Sequence, residues 1–193
     1  MNIIGITGAI GSGKSTAANF LKKKVNAYYF DADLEAKNHL MSSAKTQEKI
    51  IAAFGKEKIM KNDSFNLQLL ASVAFKNKIN QKLLNQIIWP EVYLLIKSTI
   101  IYAKKNNFKN FIVDAALLIE ANFNHLFNYI ILITAPEKIR IERALKRNNL
   151  SLNQIKKRNM LQWPDEIKQK YANYVIENDK SISNLQKKLT KIF

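Results

Sequence analysis

The stretch Gly8-Ala9-Ile10-Gly11-Ser12-Gly13-Lys14-Ser15 matches the spacing G-x-x-x-x-G-K-[ST] in full. Its chemistry is the capture of a triphosphate. Glycines let the backbone take dihedrals closed to other residues and approach phosphate oxygens closely. Successive N–H groups then converge on the anion, and a helix starting there adds the positive end of its dipole. Gly11, Ser12 and Gly13 supply the amides. Lys14 offers a mobile cation to the β- and γ-phosphates, Ser15 a hydroxyl ligand to Mg²⁺, and Thr16 a contact to the α-phosphate. A nucleoside triphosphate, ATP in the first instance, is the implied ligand.

Three acids stand at strand ends. Asp31 and Asp33 follow the apolar run Ala27 to Phe30, and Asp114 ends the run Asn110 to Val113. Ligands of open α/β sheets bind beyond the carboxyl ends of the strands. A carboxylate there orients an attacking hydroxyl or takes its proton, which is the role read for Asp33. Asp31 is placed to hold Mg²⁺ through water, and Asp114 takes the usual second metal position. Position alone leaves another reading open for Asp31 and Asp33, because Asp is also a favoured helix N-cap.

Arg140, Arg143 and Arg147 are spaced 3 and 4, so they share one helix face. Beside a phosphate loop, such a face suits a lid that closes over phosphates and neutralises developing charge; a solvated charged face is the other reading of the same spacing.

Elements that position these residues are legible. Nearly continuous apolar runs predict parallel strands at Asn2 to Thr7, Ala27 to Phe30, Asn110 to Val113, Tyr129 to Thr134 and Tyr174 to Glu177. Helical patterns alternate with them, which predicts a parallel sheet covered on both faces. Lys14 to Lys24 is the first helix. Leu84, Ile87, Ile88, Val92, Leu95, Ile96 and Ile100 recur at helical spacing, with Pro90 marking a break or new start. Pro136 sits where a helix begins. Ser151 and Gln154 form a capping-box pattern, and Ile182, Leu185, Leu189 and Ile192 form a closing amphipathic stripe. The segment between the second and third strands is too long for a simple crossover and reads as a helical subdomain of about 34–107.

Composition narrows the classes. The chain has 193 residues, 47% hydrophobic, which supports one domain with an insertion. The absence of cysteine excludes disulfides, thiolate metal sites and cysteine nucleophiles, and fits a reducing compartment. His39 and His125 have no partner at zinc-ligand spacing. No apolar run is long enough for a bilayer and no leader pattern precedes Ile3, so a cytoplasmic protein without membrane contact is expected. The formal charge of +16 favours polyanionic partners. It also follows from a chain-wide abundance of Lys, Asn and Ile, and no recognisable nucleic-acid module accompanies it.

Taken together these residues resemble the dephospho-CoA kinase family, within the nucleoside monophosphate kinase-like P-loop group. Ile4 to Thr16 resembles its start, Asp31-Ala32-Asp33 its Asp-Ala-Asp element, and Phe54-Gly55 a turn of its substrate domain. Asp114 to Glu120 resembles its Asp-x-Pro-Leu-Leu-Phe-Glu segment. Arg143, Arg147, Arg158 and Gln162 fall where its lid motifs lie, and Tyr174 to Asn178 resembles its last strand. The departures are Trp89-Pro90 for His-Pro, Ala116-Leu117-Leu118-Ile119 for Pro-Leu-Leu-Phe, Arg140 for a lid Gln, and Asn173 for an Asp.

The resemblance implies an α/β, three-layer P-loop fold with a five-stranded parallel sheet, a helical substrate-binding insertion and a helical lid. It implies a core of about 1–33, 108–138 and 170–193, an acceptor-binding insertion of about 34–107, and a lid of about 139–169. It also implies ATP and dephospho-CoA as small-molecule substrates with Mg²⁺, Asp33 as the catalytic acid–base residue with Lys14 and Arg143, and Asn178 near adenine. Two other readings stay open from the residues: a different P-loop nucleoside or nucleotide kinase, and a nucleic-acid-binding ATPase.

Overall fold

The computed structural model describes residues 1–147 and 151–192. The chain opens with strand β1 (Asn2–Thr7), helix α1 (Lys14–Lys24) and strand β2 (Ala27–Asp31). Helices α2 (Ala32–Ser42), α3 (Ala44–Phe54) and α4 (Lys56–Ile59) follow. A two-stranded hairpin, β3 (Met60–Lys61) and β4 (Ser64–Phe65), leads into α5 (Leu67–Ala74) and the long α6 (Lys78–Lys105). The second half runs β5 (Asn110–Asp114), β6 (Tyr129–Thr134), α7 (Glu137–Arg147), α8 (Leu152–Met160), α9 (Asp165–Lys168), β7 (Tyr174–Glu177) and α10 (Ile182–Thr190).

Five strands pair in parallel in the order β2-β5-β1-β6-β7. The α/β fold with a five-stranded parallel sheet is therefore as expected, and β2 and β5 each run one residue further, into Asp31 and Asp114. The period of two sorts the side chains. Ile4, Ile6, Ile112, Ile131 and Ile133 pack with Ala17, Ala18 and Leu21 of α1 and with Leu185 and Leu189 of α10. Phe111, Val113 and Ile130 face the other way, with Ile88, Val92, Ile96, Ile100 and Ala103 of α6. That spacing of 4, 4, 4 and 3 keeps one stripe of α6 on the sheet. Complete burial of a side chain such as Ile96 contributes about 1.5–3 kcal/mol.

Three sequence expectations are corrected. Pro90 neither breaks nor restarts the helix: α6 runs through it from Lys78 to Lys105. Proline forfeits one helical hydrogen bond, a cost of about 3 kcal/mol, and the apolar stripe on both sides of it offsets that loss. The hairpin was not anticipated, because two-residue strands show no alternation. Its turn is nevertheless spelled in the chain, since Asn62 and Asp63 both take positive φ, 50° and 55°, as a type I′ turn requires. Finally, Ile182 is 61% exposed, so Leu185, Leu189 and the partly buried Ile192 carry the closing stripe. The Ser151–Gln154 capping box is present in full, and the helix following Pro136 starts at Glu137.

Candidate active site

The chain leaves β1 toward one side of the sheet for β2 and β5, and toward the other for β6 and β7. The loop after β1 sits at that switch point, where the carboxyl ends of the strands open into a crevice. Gly11 and Gly13 have φ of 78° and 98°, and a Cβ at Gly13 would collide with the Asn178 carboxamide, one at Gly11 with the Arg140 backbone. Gly13 is the N-cap of α1 and no side chain caps the helix. The first amides of α1 are thus left for a ligand.

Strand register brings the acids together. Asp114 lies opposite Ile6 on one side and Asp31 on the other. Lys14 Nζ stands 3.9 Å from Asp114 Oδ1, and the Tyr29 hydroxyl donates to Asp114 Oδ2 at 3.2 Å. Burial pushes the Asp114 carboxyl above the usual carboxylate range, with Lys14 and the Ser15 hydroxyl opposing. Tyr29 is pushed up too, by burial first and then by Asp114. Asp114 Oδ1 is buried with no hydrogen-bond partner.

Asp31 Oδ1 accepts the Leu34 backbone N–H at 3.0 Å and caps α2. The N-cap reading therefore holds for Asp31, and that cap sets Asp33 in the first turn of the helix, on the wall of the crevice. Asp33 is open to the crevice, yet protein packs closely around the opening. That crowding raises its pKa, Lys14 pulls it back, and Asp114 and Asp31 push it up again.

Lys14, Asp33, Arg158 and Gln162 line one end-open cavity of about 440 Å³. The rest of the wall is mostly apolar, with Leu40 from α2, Leu70 from α5, and Ile88 and Trp89 from α6. A phosphate loop and a carboxylate thus share a cavity with an apolar chamber. That pairing suits transfer of a phosphoryl group to an alcohol carried by a bulky, partly apolar acceptor.

The arginine face is fully engaged. Arg140 donates to Ala135 O at 2.9 Å and to Asn159 Oδ1 at 3.3 Å. Arg143 donates to the backbone carbonyls of Asn178, 2.8 Å, and Lys180, 3.4 Å. Arg147 donates to Thr16 Oγ1 at 2.9 Å. Asn178 is buried and gives its carboxamide to Ser12 O at 2.8 Å. Arg143, Arg147 and Asn178 therefore gather around the phosphate loop and the start of α1, and none of the three lines the cavity.

Arg158, on α8, does line it. Its guanidinium lies over the Phe75 ring at 5.1 Å. Burial lowers its pKa and Asp33 is the charge that offsets this. One buried charged residue was not singled out from sequence. Lys168 is fully buried, with Nζ 2.9 Å from Glu120 Oε1 and donating to Ala116 O at 3.1 Å. Glu120 Oε1 also accepts the Trp163 N–H at 3.0 Å. Ala116 O in turn accepts from Thr7 Oγ1 at 3.3 Å. A lysine on a four-residue helix gives no signal in sequence, since lysines are normally solvated.

A search of known proteins returns the same chemistry. The family model described as Dephospho-CoA kinase matches residues 2–184. A protein of Lactobacillus johnsonii named Dephospho-CoA kinase is 32% identical over 189 residues, covering 98% of this chain and 95% of its own. Among solved structures, TT1252 from Thermus thermophilus superposes with a TM-score of 0.78 at 27% identity, covering 99% of this chain and 95% of that one. Dephospho-CoA kinase from Campylobacter jejuni gives 0.68 at 26% identity, covering 99% and 94%. With Lys14 of the phosphate loop and Asp33 on one cavity whose remaining wall is mostly apolar, and a family match over nearly the whole chain, this protein belongs to the dephospho-CoA kinase family.

Proposed function

We propose that this chain transfers the γ-phosphoryl group of ATP to the ribose 3′-hydroxyl of dephospho-CoA, giving ADP and CoA. The observation that carries this reading is the shared cavity: Lys14 and Asp33 face one space whose remaining wall is a chamber of apolar side chains.

The N–H groups of residues 11–15 bind the triphosphate. Lys14 draws negative charge toward the transferred group, and Asp33 accepts a hydrogen bond from the acceptor hydroxyl and takes its proton as the new O–P bond forms. Positioning and electrostatics supply most of the rate in such transfers. The raised pKa of Asp33 moves it toward the working range of a general base. Helix α8 brings Arg158 to the same cavity, where it neutralises phosphate charge. Arg143 and Arg147 brace the loop on its nucleotide side, and Asn178 holds its backbone close to where the nucleotide base would lie.

The residues fit Mg²⁺: Asp114 carries an orphaned buried oxygen beside Lys14 and Ser15. Ser15 and Asp114 would hold the ion, with Asp31 through water. Among the described residues no three acids or histidines cluster, as expected of an ion that keeps waters and phosphate oxygens as ligands. The ion supplies charge neutralisation on the phosphates.

In this reading the segment 34–107 receives the acceptor and 139–169 acts as the lid, residues 148–150 of which lie outside those described. No described helix is long and apolar enough to cross a membrane. The cysteine-free chain fits a reducing compartment, and the cytoplasm is the proposed place of action. The test is direct. Purified protein with ATP and Mg²⁺ is given dephospho-CoA, nucleosides, nucleoside monophosphates and oligonucleotides in parallel, with products identified by mass. CoA as the dominant product is expected; preference for another acceptor, or ATP hydrolysis driven only by oligonucleotides, would overturn the proposal.

A further inference from the structure

The segment from Ser151 to Lys168 brings Arg158 and Gln162 to the cavity, yet little apolar burial holds it there. Helix α8 buries Ile155 alone, and the short α9 buries Lys168 alone. A lysine normally keeps its ammonium in water. This one is 0% exposed, and the mechanism above makes no use of it.

Lys168 Nζ stands where three segments meet. It lies 2.9 Å from Glu120 Oε1 and donates to Ala116 O at 3.1 Å. Ala116 follows Asp114 by two residues and lines the cavity. Its carbonyl also accepts the Thr7 hydroxyl at 3.3 Å, and Thr7 ends β1 just before the phosphate loop. Glu120 Oε1 accepts the Trp163 N–H at 3.0 Å. From there turn bonds lead back along the lid: Gln162 N–H to Asn159 O at 3.1 Å, and Leu161 N–H to Arg158 O at 3.2 Å. A bonded path thus runs from the end of β1 through Lys168 to the backbone of Arg158.

Stability alone does not account for this lysine, since apolar side chains of similar volume often hold a helix at least as firmly as a buried ion pair. Charge-assisted hydrogen bonds add direction. We propose that Lys168, through Glu120 and Ala116, is a positioning residue for phosphoryl transfer, setting Arg158 in the cavity it shares with Lys14 and Asp33. The inference rests on the kinase reading above and adds a residue to it. Lys168 touches no substrate; it fixes the angle at which the lid presents a cation to the phosphates.

A mutant cycle separates this role from general support of the fold. Lys168→Met combined with Glu120→Gln removes the bridge without leaving a buried carboxylate at residue 120. With dephospho-CoA as acceptor, kcat should fall about tenfold, the scale of a small misplacement of a positioned group. The Kd for ATP, read by calorimetry, should stay within about twofold of the parent. In an Arg158→Ala background the same two changes should cost less than about twofold, because the group being positioned is already gone. An equal fold-loss in both backgrounds, or no loss in the parent, would overturn the proposal.

Glu120→Gln alone serves if the pair fails to fold. It keeps an oxygen for Lys168 and for the Trp163 N–H and removes only the charge. A smaller loss of kcat, about threefold, is then expected, again absent beside Arg158→Ala. A second readout needs no substrate. Amide hydrogen exchange of the ligand-free protein, followed by mass, should speed about tenfold over 151–168 in the double variant and hold steady over β1 and α1. Exchange unchanged over 151–168 would also overturn the proposal. If the unmutated protein prefers a different acceptor, the kinase reading fails while the exchange result stands, so the two failures are distinguishable.

Discussion

The two sides of the crevice are built by different forces. On the phosphate side directional bonds tie one segment to the next: Ser12 to Asn178, Thr16 to Arg147, Thr7 to Ala116, Tyr29 to Asp114. On the acceptor side, Leu40, Leu70, Ile88 and Val92 hold the wall by burial alone. Directional bonds demand particular atoms at particular places. Apolar burial asks mainly for volume, which different residues can fill. The phosphate side is thus intolerant and the acceptor side plastic. The buried Lys168–Glu120 pair joins α9 to the turn that follows β5.

The sharpest break is at Lys14. Lys14→Ala removes the cation that faces the triphosphate, and kcat/KM for ATP should fall about 10³-fold or more, the scale of a lost charge-stabilising donor. Steady-state kinetics with an ATP titration check this, and an unchanged titration would move the phosphate side elsewhere. Next comes the tie between the two sides. Lys168→Met leaves Glu120 buried and unpaired, at a cost of about 3–5 kcal/mol in a denaturant titration. Adding Glu120→Gln should recover most of that loss; a double variant as unstable as the single would mean that packing, not charge, holds the lid segment.

Asp33→Asn separates chemistry from binding. kcat should drop about 10²-fold while ATP affinity, read by calorimetry, stays within about twofold of the parent. Equal losses in both would return Asp33 to the phosphate-binding side. The smallest effect is expected at Asp165, whose carboxyl is raised by burial, with Arg140 and Lys168 opposing. The folded protein holds this proton better than the unfolded chain does. Its contribution is complete below the unfolded value near 3.9 and is lost as pH rises through the raised folded value. Asp165→Asn avoids that loss. Its Tm should match the parent near pH 4 and exceed it by about 2 °C at pH 7; a lower Tm at pH 7 would show that the ion pairs outweigh burial.

Legibility follows the same divide. The phosphate loop and the strand-end acids were legible because such residue types at such spacings are distinctive; the arginines were legible as one helix face, but the fold ties them to Ala135, Asn159, Asn178, Lys180 and Thr16 and not to the cavity. The five strands were readable because a strand buried on both faces must be apolar throughout. Pro90 misled, since a proline is a local signal and the continuity of α6 is set by the stripe from Ile88 to Ala103 against the sheet. The hairpin escaped because its strands are only two residues each.

The sequence by itself determined the phosphate-loop spelling, the acids at the strand ends and the class of sheet. Only the tertiary structure decided that Asp31 is spent capping α2 while Asp33 faces the cavity, and that Arg158 is the arginine that reaches it. It alone also buried Lys168 against Glu120. Local spacing encodes which groups a segment can offer. Which of them face a common space depends on the packing of segments far apart in the chain, and that is a property of the folded whole.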